Sequence, residues 1–406
     1  MTDLFIPKNV LALYPMDELG YAKRYDVLKT CFKSFYLLNY AARSHENGIK
    51  NTEREITDII AGKKIDIVLF CPFASDHQLS PEFINSLRKT AKVAYWFVDD
   101  GAYFEVYSRY YAQAADLVIT TDSLAVSAYK RLGVPAILCM ETVANNTLVP
   151  ISAEKDIDVC FIGDMTKRGR GKYIDFLRKN GTNVVVYGEG SPNGRLPYEQ
   201  ISEYFCRSKI NLNFTQLGEL DWINREEPLL NRVRQPNGRY TAIALTRSFC
   251  LCEYAPGQEY VFDIGKEIDV FRDEAGLLEK VRYYLSNSAR REKIAAAAYE
   301  RAMANYRPDI YAPKLAREMT EALYGKDGTN PYTPEVYLSP AFRARTINSL
   351  TFSMFIMLKN FKLKYALETF FRLFRYGPVV FFTGFCGGAA RAFRNVAGKA
   401  ARYGQP

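Results

Sequence analysis

Short runs of apolar, often β-branched residues alternate with longer stretches of helical periodicity through residue 305. This alternation is typical of βαβ units, in which helices join and cover parallel strands, so the predicted fold class is α/β. The alternation starts again after Val149-Pro150, which favours two domains of about 150 residues each over one large sheet. We predict domains at 1–150 and 151–306, a return helix and linker at 307–339, and a basic tail at 340–406.

The predicted strands mark where functional residues should be sought. In the first half they are residues 10–13, 65–70, 93–98, 117–120 and 136–139, and in the second half 157–162, 184–187, 210–214, 249–252 and 268–271. Predicted helices include 81–90, 123–132, 274–285 and 289–305. Ligands of open parallel sheets bind beyond the carboxyl ends of the strands, so the residues directly after these runs are the candidates.

The positive charge is concentrated at one end of the chain. Residues 340–406 contain 11 Lys and Arg but a single acidic residue, Glu368, whereas residues 1–339 contain 43 basic and 44 acidic residues. The net charge of +9 therefore belongs to the tail. Because the two predicted domains are nearly neutral, we do not expect nucleic acid as a partner.

Histidine and cysteine usage argues against several kinds of site. The chain has two histidines, His45 and His77, and eight scattered cysteines. A Ser-His-Asp triad, a His-built metal site or a disulfide framework needs other numbers or spacings, so we expect none of these three. The opening MTDLFIPKNV lacks the pattern of a secretion signal, and no apolar run of about 18 residues follows, so a cytoplasmic location is predicted.

Glycine turns and cations follow two strands of the second half. FIGDMTKRGRGK (161–172) places Gly163 before Lys167, Arg168 and Arg170, and VVVYGEG (184–190) is a second strand with a glycine turn. Backbone N–H groups and cations in such a loop could bind a diphosphate. A solvated basic loop is the alternative interpretation.

A third segment, NRVRQPNGRY (231–240), contains arginines before an apolar helix. Arg232, Arg234 and Arg239 could clamp phosphate, because a guanidinium group binds it through two parallel hydrogen bonds. Alternatively, these arginines pair at the surface with Glu226 and Glu227.

The second half resembles the CgeB-like group of glycosyltransferases. The resemblance runs in order through DVCFIGDMTKRGRGKYIDFLRKNGTNVVVYGEG, SKINLNF, NGRYTAIALTRSFCLCEYAPGQEYVFDIGKEIDVF and LLEKVRYYLSNSARREKIAAAAYERAMANY. The first half is similar more loosely, through KIDIVLF, LSPEFI, KVAYWFVDD and ADLVITTD. The resemblance implies the GT-B fold, in which two Rossmann-like domains face a cleft. A nucleotide-sugar would bind the second domain, and an acceptor would face the first.

The resemblance also implies site residues. Near the donor diphosphate it places Gly163, Lys167, Arg168 and Arg239, and along the donor cleft Tyr187, Gly188 and Asn213. Glu253, at a strand end, and Glu267, in GKEIDVF, are further donor-site candidates, with a structural role as the alternative for Glu267.

One segment departs from the pattern of the family, at the positions of the family's Glu and Gly, which are Thr241 and Thr246 here. Where related sequences read Phe-Glu-x-x-A-x-G, this chain reads YTAIALT (240–246), so the Glu expected to contact the nucleotide ribose is Thr241. A catalytically silent protein that binds a nucleotide or a sugar is therefore an alternative to an active transferase.

The paired carboxylates Asp99 and Asp100 follow the strand VAYWFV. A carboxylate at this edge could deprotonate the acceptor hydroxyl, and we favour Asp100 because it lies further beyond the strand. The alternative is that one aspartate caps a helix beginning near Ala102.

The tail has an amphipathic segment at 361–375. Its apolar residues follow helical spacing: Leu363, Ala366, Leu367, Phe370, Phe371 and Phe374. A basic helix with an aromatic face is typical of binding to an anionic membrane surface. We therefore predict a protein peripheral to the inner face of the plasma membrane, acting on a lipid-linked or other cell-envelope glycan. Removal of 340–406 is expected to leave both α/β domains folded.

Two other interpretations of the tail remain. It could be a helix packed on the first domain with a solvated basic face, or it could dock a protein substrate, which would make the enzyme a protein glycosyltransferase.

Overall fold

The architecture is that of two parallel sheets covered by helices. The computed structural model describes residues 5–15, 25–73, 76–139, 148–167, 169–216, 234–325, 331–332, 339–377, 380–382, 384–390 and 392–393. The predicted fold class, α/β with two parallel-sheet domains, is confirmed.

The first domain has a six-stranded sheet in the order β2-β1-β3-β4-β5-β6, with every pair parallel. Its strands are β1 (Ile6–Tyr14), β2 (Phe32–Asn39), β3 (Ile67–Phe70), β4 (Lys92–Phe97), β5 (Leu117–Thr120) and β6 (Ala136–Leu138). Its helices are α1 (Tyr40–Asn47), α2 (Ile49–Gly62), α3 (Pro81–Leu87), α4 (Asp100–Tyr103), α5 (Arg109–Ala112) and α6 (Ser123–Arg131), with a π-helical turn at Phe104–Ser108.

The second domain has a five-stranded sheet in the order β11-β10-β9-β7-β8, also parallel. Its strands are β7 (Ile157–Ile162), β8 (Val184–Tyr187), β9 (Ser208–Asn213), β10 (Cys250–Glu253) and β11 (Asp269–Phe271). Its helices are α7 (Arg170–Lys179), α8 (Ile201–Arg207), α9 (Arg239–Leu245), α10 (Glu274–Ser286) and α11 (Ser288–Asn305).

Local sequence explains where these elements begin. The runs IVLF of β3 and LVIT of β5 are buried along their whole length, as expected for central strands covered on both faces. Helix α6 begins where Asp122 accepts hydrogen bonds from the N–H groups of Leu124 and Ala125. All ten predicted strands are present, and one strand of the described residues, β2, was not predicted.

Two further helices attach the C-terminal part of the chain to the first domain. In α12 (Pro308–Tyr324), the buried face shares a core with β1 and β3. In α13 (Pro340–Lys359), the Phe342 ring lies 4.4 Å from that of Tyr110 and 4.8 Å from that of His77, between ring centres. The Ser349 hydroxyl accepts a hydrogen bond from the backbone N–H of His77 at 2.9 Å.

The interpretation of 340–406 as one separate appendage is thus corrected for residues 340–359. Ile347 and Leu350 of α13 are completely buried, so this helix is part of the folded body. The next helix, α14 (Leu363–Leu373), packs along α13. Within the described ranges, no helix is long and apolar enough to cross a membrane.

Candidate active site

The carboxyl ends of the two sheets meet across a cleft that Gln235 bridges. Gln235 is held to the second domain by its N–H, which donates to the Thr215 carbonyl at 3.0 Å. Its side-chain NH₂ donates to the carbonyl oxygen of Val98 and, at 3.0 Å, to Thr121 Oγ1, and its side-chain oxygen accepts the Gly101 N–H at 3.1 Å. One buried amide thus joins the strand ends of both domains.

Two glycine turns line the cleft on the side of the second domain. The Gly163 N–H donates to the Tyr187 carbonyl at 2.8 Å, so the turns after β7 and β8 lie side by side. A Cβ on Gly188, whose φ is +131°, would lie 1.9 Å from the Gly163 oxygen. A Cβ on Gly163 would lie 2.7 Å from Arg239 Nη2. Only glycine fits at these positions, because the backbones and an arginine approach so closely.

Two arginines stand beside these turns, and both are held in place. Arg239, in the first turn of α9, donates from Nη1 to Asn213 Oδ1 at 3.0 Å. Arg170, in the first turn of α7, donates to the Asp164 carbonyl at 2.8 Å. Both guanidinium groups lie against the Phe161 ring, at 5.2 Å for Arg239 and 5.6 Å for Arg170. The sheet therefore fixes their position before any ligand binds.

Lys167 completes a cluster of three cations. Burial, and after it the charge of Arg170, lowers the pKa of Lys167, whereas the charge of Asp99 raises it. Burial and then Arg170 likewise lower the pKa of Arg239. The cluster thus holds positive charge that its surroundings disfavour, and an entering anion would relieve this. A diphosphate, with two charged groups, matches the arrangement.

An aromatic pair borders the glycine turns. The Tyr187 hydroxyl donates to the Tyr204 hydroxyl at 2.9 Å, and the two rings meet edge to face at 4.7 Å. This hydrogen bond is the main cause that raises the pKa of Tyr187 to about 12. Tyr187, Gly188 and Asn213, which the sequence predicted together, lie at one edge of the sheet.

Glu253 has an internal role in the second domain. Its carboxylate is buried, pairs with Arg234 Nε at 2.7 Å and accepts the N–H groups of Thr215 and Gln216, each at 3.0 Å. These bonds fix the segment after β9 from which Gln235 reaches across the cleft. Glu253 therefore shapes the site by positioning its loop, and its oxygen atoms are already engaged.

Two predicted donor residues take positions unlike those expected. The Thr241 hydroxyl is buried and donates to the Gly238 carbonyl at 2.7 Å, within the first turn of its own helix. Glu267 precedes β11 and therefore lies at the amino edge of the sheet, where it accepts the Asp263 N–H and pairs with Arg301 at 3.5 Å. The structure does not bring Glu267 to the cation cluster.

The two aspartates of the first domain differ in burial, since Asp99 is partly exposed and Asp100 is buried, and this favours Asp99 over the predicted Asp100. Asp100 is 1% exposed, and its Oδ1 accepts the hydroxyl hydrogens of Ser108 at 2.5 Å and Tyr129 at 2.7 Å. Burial raises its pKa to about 6. Asp99 precedes α4 without accepting a capping hydrogen bond from it, and its charge acts on Lys167 across the cleft. Asp99 is therefore the candidate base.

Sequence reasoning missed Gln235 and Phe161, which position the parts of the site. Gln235 lies in the segment 231–240, where the recognisable pattern is formed by the arginines, and Phe161 has the pattern of an ordinary strand residue. Arg168, Arg232, Glu226 and Glu227 lie outside the described residues. No group of three His, Cys, Asp or Glu side chains in the described part of the chain is placed to hold a metal.

Residues 170–315, which include α7, β8 to β11 and Arg239, match the family profile described as glycosyl transferase-like. This part of the chain is thus a glycosyl transferase-like domain. The predicted enzyme class, a transferase of glycosyl groups, is confirmed at the level of this domain. A comparison with the sequences of curated proteins finds no significant match.

Solved structures with a similar fold include three that cover nearly four fifths of the chain. HepE of Anabaena in complex with UDP-glucose is 10% identical with a TM-score of 0.57, over 78% of this chain and 100% of that one. Sucrose-phosphate synthase of Thermosynechococcus elongatus is 10% identical with a TM-score of 0.55, over 78% and 100%. A glycosyltransferase of Rickettsia africae is 12% identical with a TM-score of 0.56, over 79% and 100%. These likenesses confirm the predicted GT-B fold.

Proposed function

We propose that the glycosyltransferase domain binds a nucleoside diphosphate sugar and that the protein transfers the sugar to an acceptor hydroxyl presented by the first domain. The observation that carries this proposal is the convergence of Lys167, Arg170 and Arg239 on the glycine turns at the carboxyl edge of the sheet. UDP-sugars are the donors to test first, because HepE, which shares the fold, was solved with UDP-glucose.

The cation cluster suits the departure of the diphosphate. Negative charge grows on the leaving diphosphate as the glycosidic bond to it breaks, and prearranged cations stabilise that charge. Asp99, on the opposite side of the cleft, would accept the proton of the attacking hydroxyl. In this proposal protein cations take the part that a metal ion plays in other transferases, so neither a metal nor a cofactor is required.

For the acceptor, we propose a lipid-linked or other cell-envelope glycan at the inner face of the plasma membrane. The basic C-terminal helices support this proposal, since they attach to the first domain, the side on which the acceptor would bind. We further propose that the chain belongs to the CgeB-like group, because the segments of its second half resemble that group in order and spacing.

A silent binding protein is the second candidate, and the Thr241 hydroxyl favours it. Because Thr stands at position 241, the site lacks the carboxylate expected near the ribose, and the Thr241 hydroxyl donates to the Gly238 carbonyl. Incubation of the purified protein with UDP-sugars, with release of UDP as the readout, separates the two. Slow donor hydrolysis supports the transferase, binding of UDP without hydrolysis over long incubation supports the silent protein, and absence of both contradicts the donor site.

A further inference from the structure

Helix α14 is apolar on two sides, and only one of them is covered. Ala366, Thr369 and Leu373 are buried against α13. Leu363, Leu367, Phe371 and Phe374 recur at intervals of three and four residues on a neighbouring side, and all four are exposed. The single apolar face predicted from the sequence is thus two faces, and the outer one faces solvent.

The exposed side continues at the corner between α13 and α14. Leu358 and Phe361 are exposed there, and Phe361 is 89% exposed with a φ of +58°. Positive φ is rare for a bulky residue, and here it accompanies a ring directed into solvent. We call Leu358, Phe361, Leu363, Leu367, Phe371 and Phe374 the apolar ridge.

The ridge is held firmly to the first domain. The Tyr365 ring packs on Gly48, where an added Cβ would lie 2.6 Å from the ring. Arg372 Nη2 pairs with Glu53 Oε1 at 2.8 Å, a contact between α14 and α2. The ridge is therefore presented by a packed helix and keeps its shape in water.

Basic side chains border the ridge. Lys359, Lys362, Lys364 and Arg375 are exposed around it, and Glu368 is the one acidic residue of α14. At 100° per residue, Lys364 stands on the flank of α14 next to Phe371, and Glu368 lies on the same flank. Arg375 follows in the turn Phe374–Tyr376. The surroundings of the ridge thus carry a net positive charge, with Arg372 already neutralised by Glu53.

This combination fits a lipid surface better than a protein. Soluble proteins rarely expose contiguous apolar patches of this kind without a partner, and protein interfaces are depleted of lysine. Interfacial membrane helices instead combine Phe and Leu on one side with Lys and Arg beside them, since the cations meet anionic headgroups while the rings enter the boundary with the acyl chains. The charges around the ridge complement anionic lipid.

We propose that the apolar ridge is the membrane-contact surface of the protein and inserts into the headgroup region of an anionic bilayer. Helix α13 connects the ridge to the candidate active site, because it begins against Tyr110, in the segment that follows Asp99 and α4. From Phe342 to Leu358 it rises about 24 Å, at 1.5 Å per residue. The ridge would therefore seat the first domain, the proposed acceptor side, on the membrane.

Sedimentation of the full chain with vesicles tests this without donor or acceptor, so its outcome is separate from that of the proposed transfer. Phe371 and Phe5 are matched, at 62% and 63% exposed. On vesicles of phosphatidylcholine with phosphatidylserine, Phe371→Gln should lower the partition coefficient about tenfold, because the variant loses the transfer of the Phe371 side chain from water into the lipid. Phe5→Gln should leave it unchanged.

A charge variant adds a second criterion. Lys362→Gln with Lys364→Gln should weaken binding to vesicles that contain phosphatidylserine and have little effect on vesicles of phosphatidylcholine alone. Equal partition of wild type and Phe371→Gln overturns the proposal. A second result would also overturn it: the wild type binds neither kind of vesicle, and it forms dimers in sedimentation equilibrium that the Phe371→Gln variant does not form. The ridge would then bind a second copy of the chain.

Discussion

At the residue scale, burial gives the neighbouring carboxylates of Asp99 and Asp100 different chemical roles. Asp99 is partly exposed and its charge raises the pKa of Lys167, whereas Asp100 is enclosed by hydroxyl groups within the first domain. Sequence alone could place the pair at a strand end, because an apolar strand precedes them. It could not decide which side chain turns inward, because that depends on the helical turn that follows.

Substitution of the two aspartates should have different effects on turnover. Asp99→Asn should lower kcat about 10²- to 10⁴-fold with little change in donor binding, as expected when a general base is removed. Asp100→Asn should keep most of the turnover, since it does not reach the acceptor. Steady-state kinetics of both variants checks this, and a larger loss in Asp100→Asn would restore the original assignment.

Asp100 should also make stability depend on pH. Burial raises its pKa in the folded state to about 6, above the value of the unfolded chain, so folding favours the protonated form. Its contribution to stability is therefore complete below the unfolded pKa and is lost as pH rises through about 6. Relative to Asp100→Asn, the wild type should lose about 2 kcal/mol between pH 4 and pH 8. Urea unfolding at several pH values measures this, and parallel profiles of the two proteins would refute it.

At the scale of elements, the connection through Gln235 links the segment after β9 to the ends of β4 and β5. Gln235→Ala leaves the Val98 carbonyl and the Gly101 N–H without this partner, and each such loss costs about 1–3 kcal/mol when the group stays buried. We expect the two domains to separate more readily, with a larger radius of gyration in solution scattering and unchanged affinity for nucleoside diphosphate.

The exposed Gln200, in the second domain, provides the control for this experiment. Gln200→Ala should leave both the scattering profile and the affinity as in the wild type. An unchanged radius of gyration in Gln235→Ala would mean that other contacts hold the domains together.

The elements themselves could be predicted where their patterns were simple. Strands such as β7 and β8 are continuous apolar runs bounded by turns, and they appear with the predicted bounds. Strand β2 was missed because Phe32, Phe35 and Tyr36 also fit helical spacing. In the site, the glycine turns and Arg239 were found through motifs, whereas Gln235 acts through tertiary contacts that leave no local signal.

At the scale of the whole molecule, the C-terminal part of the chain divides into a structural portion and a presented surface. Phe342, Ile347, Leu350 and Met357 of α13 are buried, and Phe342 shares the main core of the first domain. Removal of residues 340–406 should therefore destabilise the first domain, contrary to the expectation from sequence, because each buried side chain is worth about 1.5–3 kcal/mol.

Thermal unfolding of two truncations checks this division. A chain ending at residue 339 should melt at a much lower temperature or fail to stay soluble. A chain ending at residue 377 keeps α13 and α14 and should lose less stability. Equal melting of the full chain and the chain ending at residue 339 would show that α13 contributes nothing to the fold.

The proposed transfer requires the cation cluster to be a donor site, and calorimetric titration with UDP tests that most directly. The wild type should bind UDP, and Arg239→Ala should bind it about 1.5–3 kcal/mol more weakly, the scale of hydrogen bonds to a charged group. Arg282→Ala, which changes an exposed arginine of α10, should match the wild type. Absence of UDP binding, or equal affinity in the wild type and Arg239→Ala, would contradict the account.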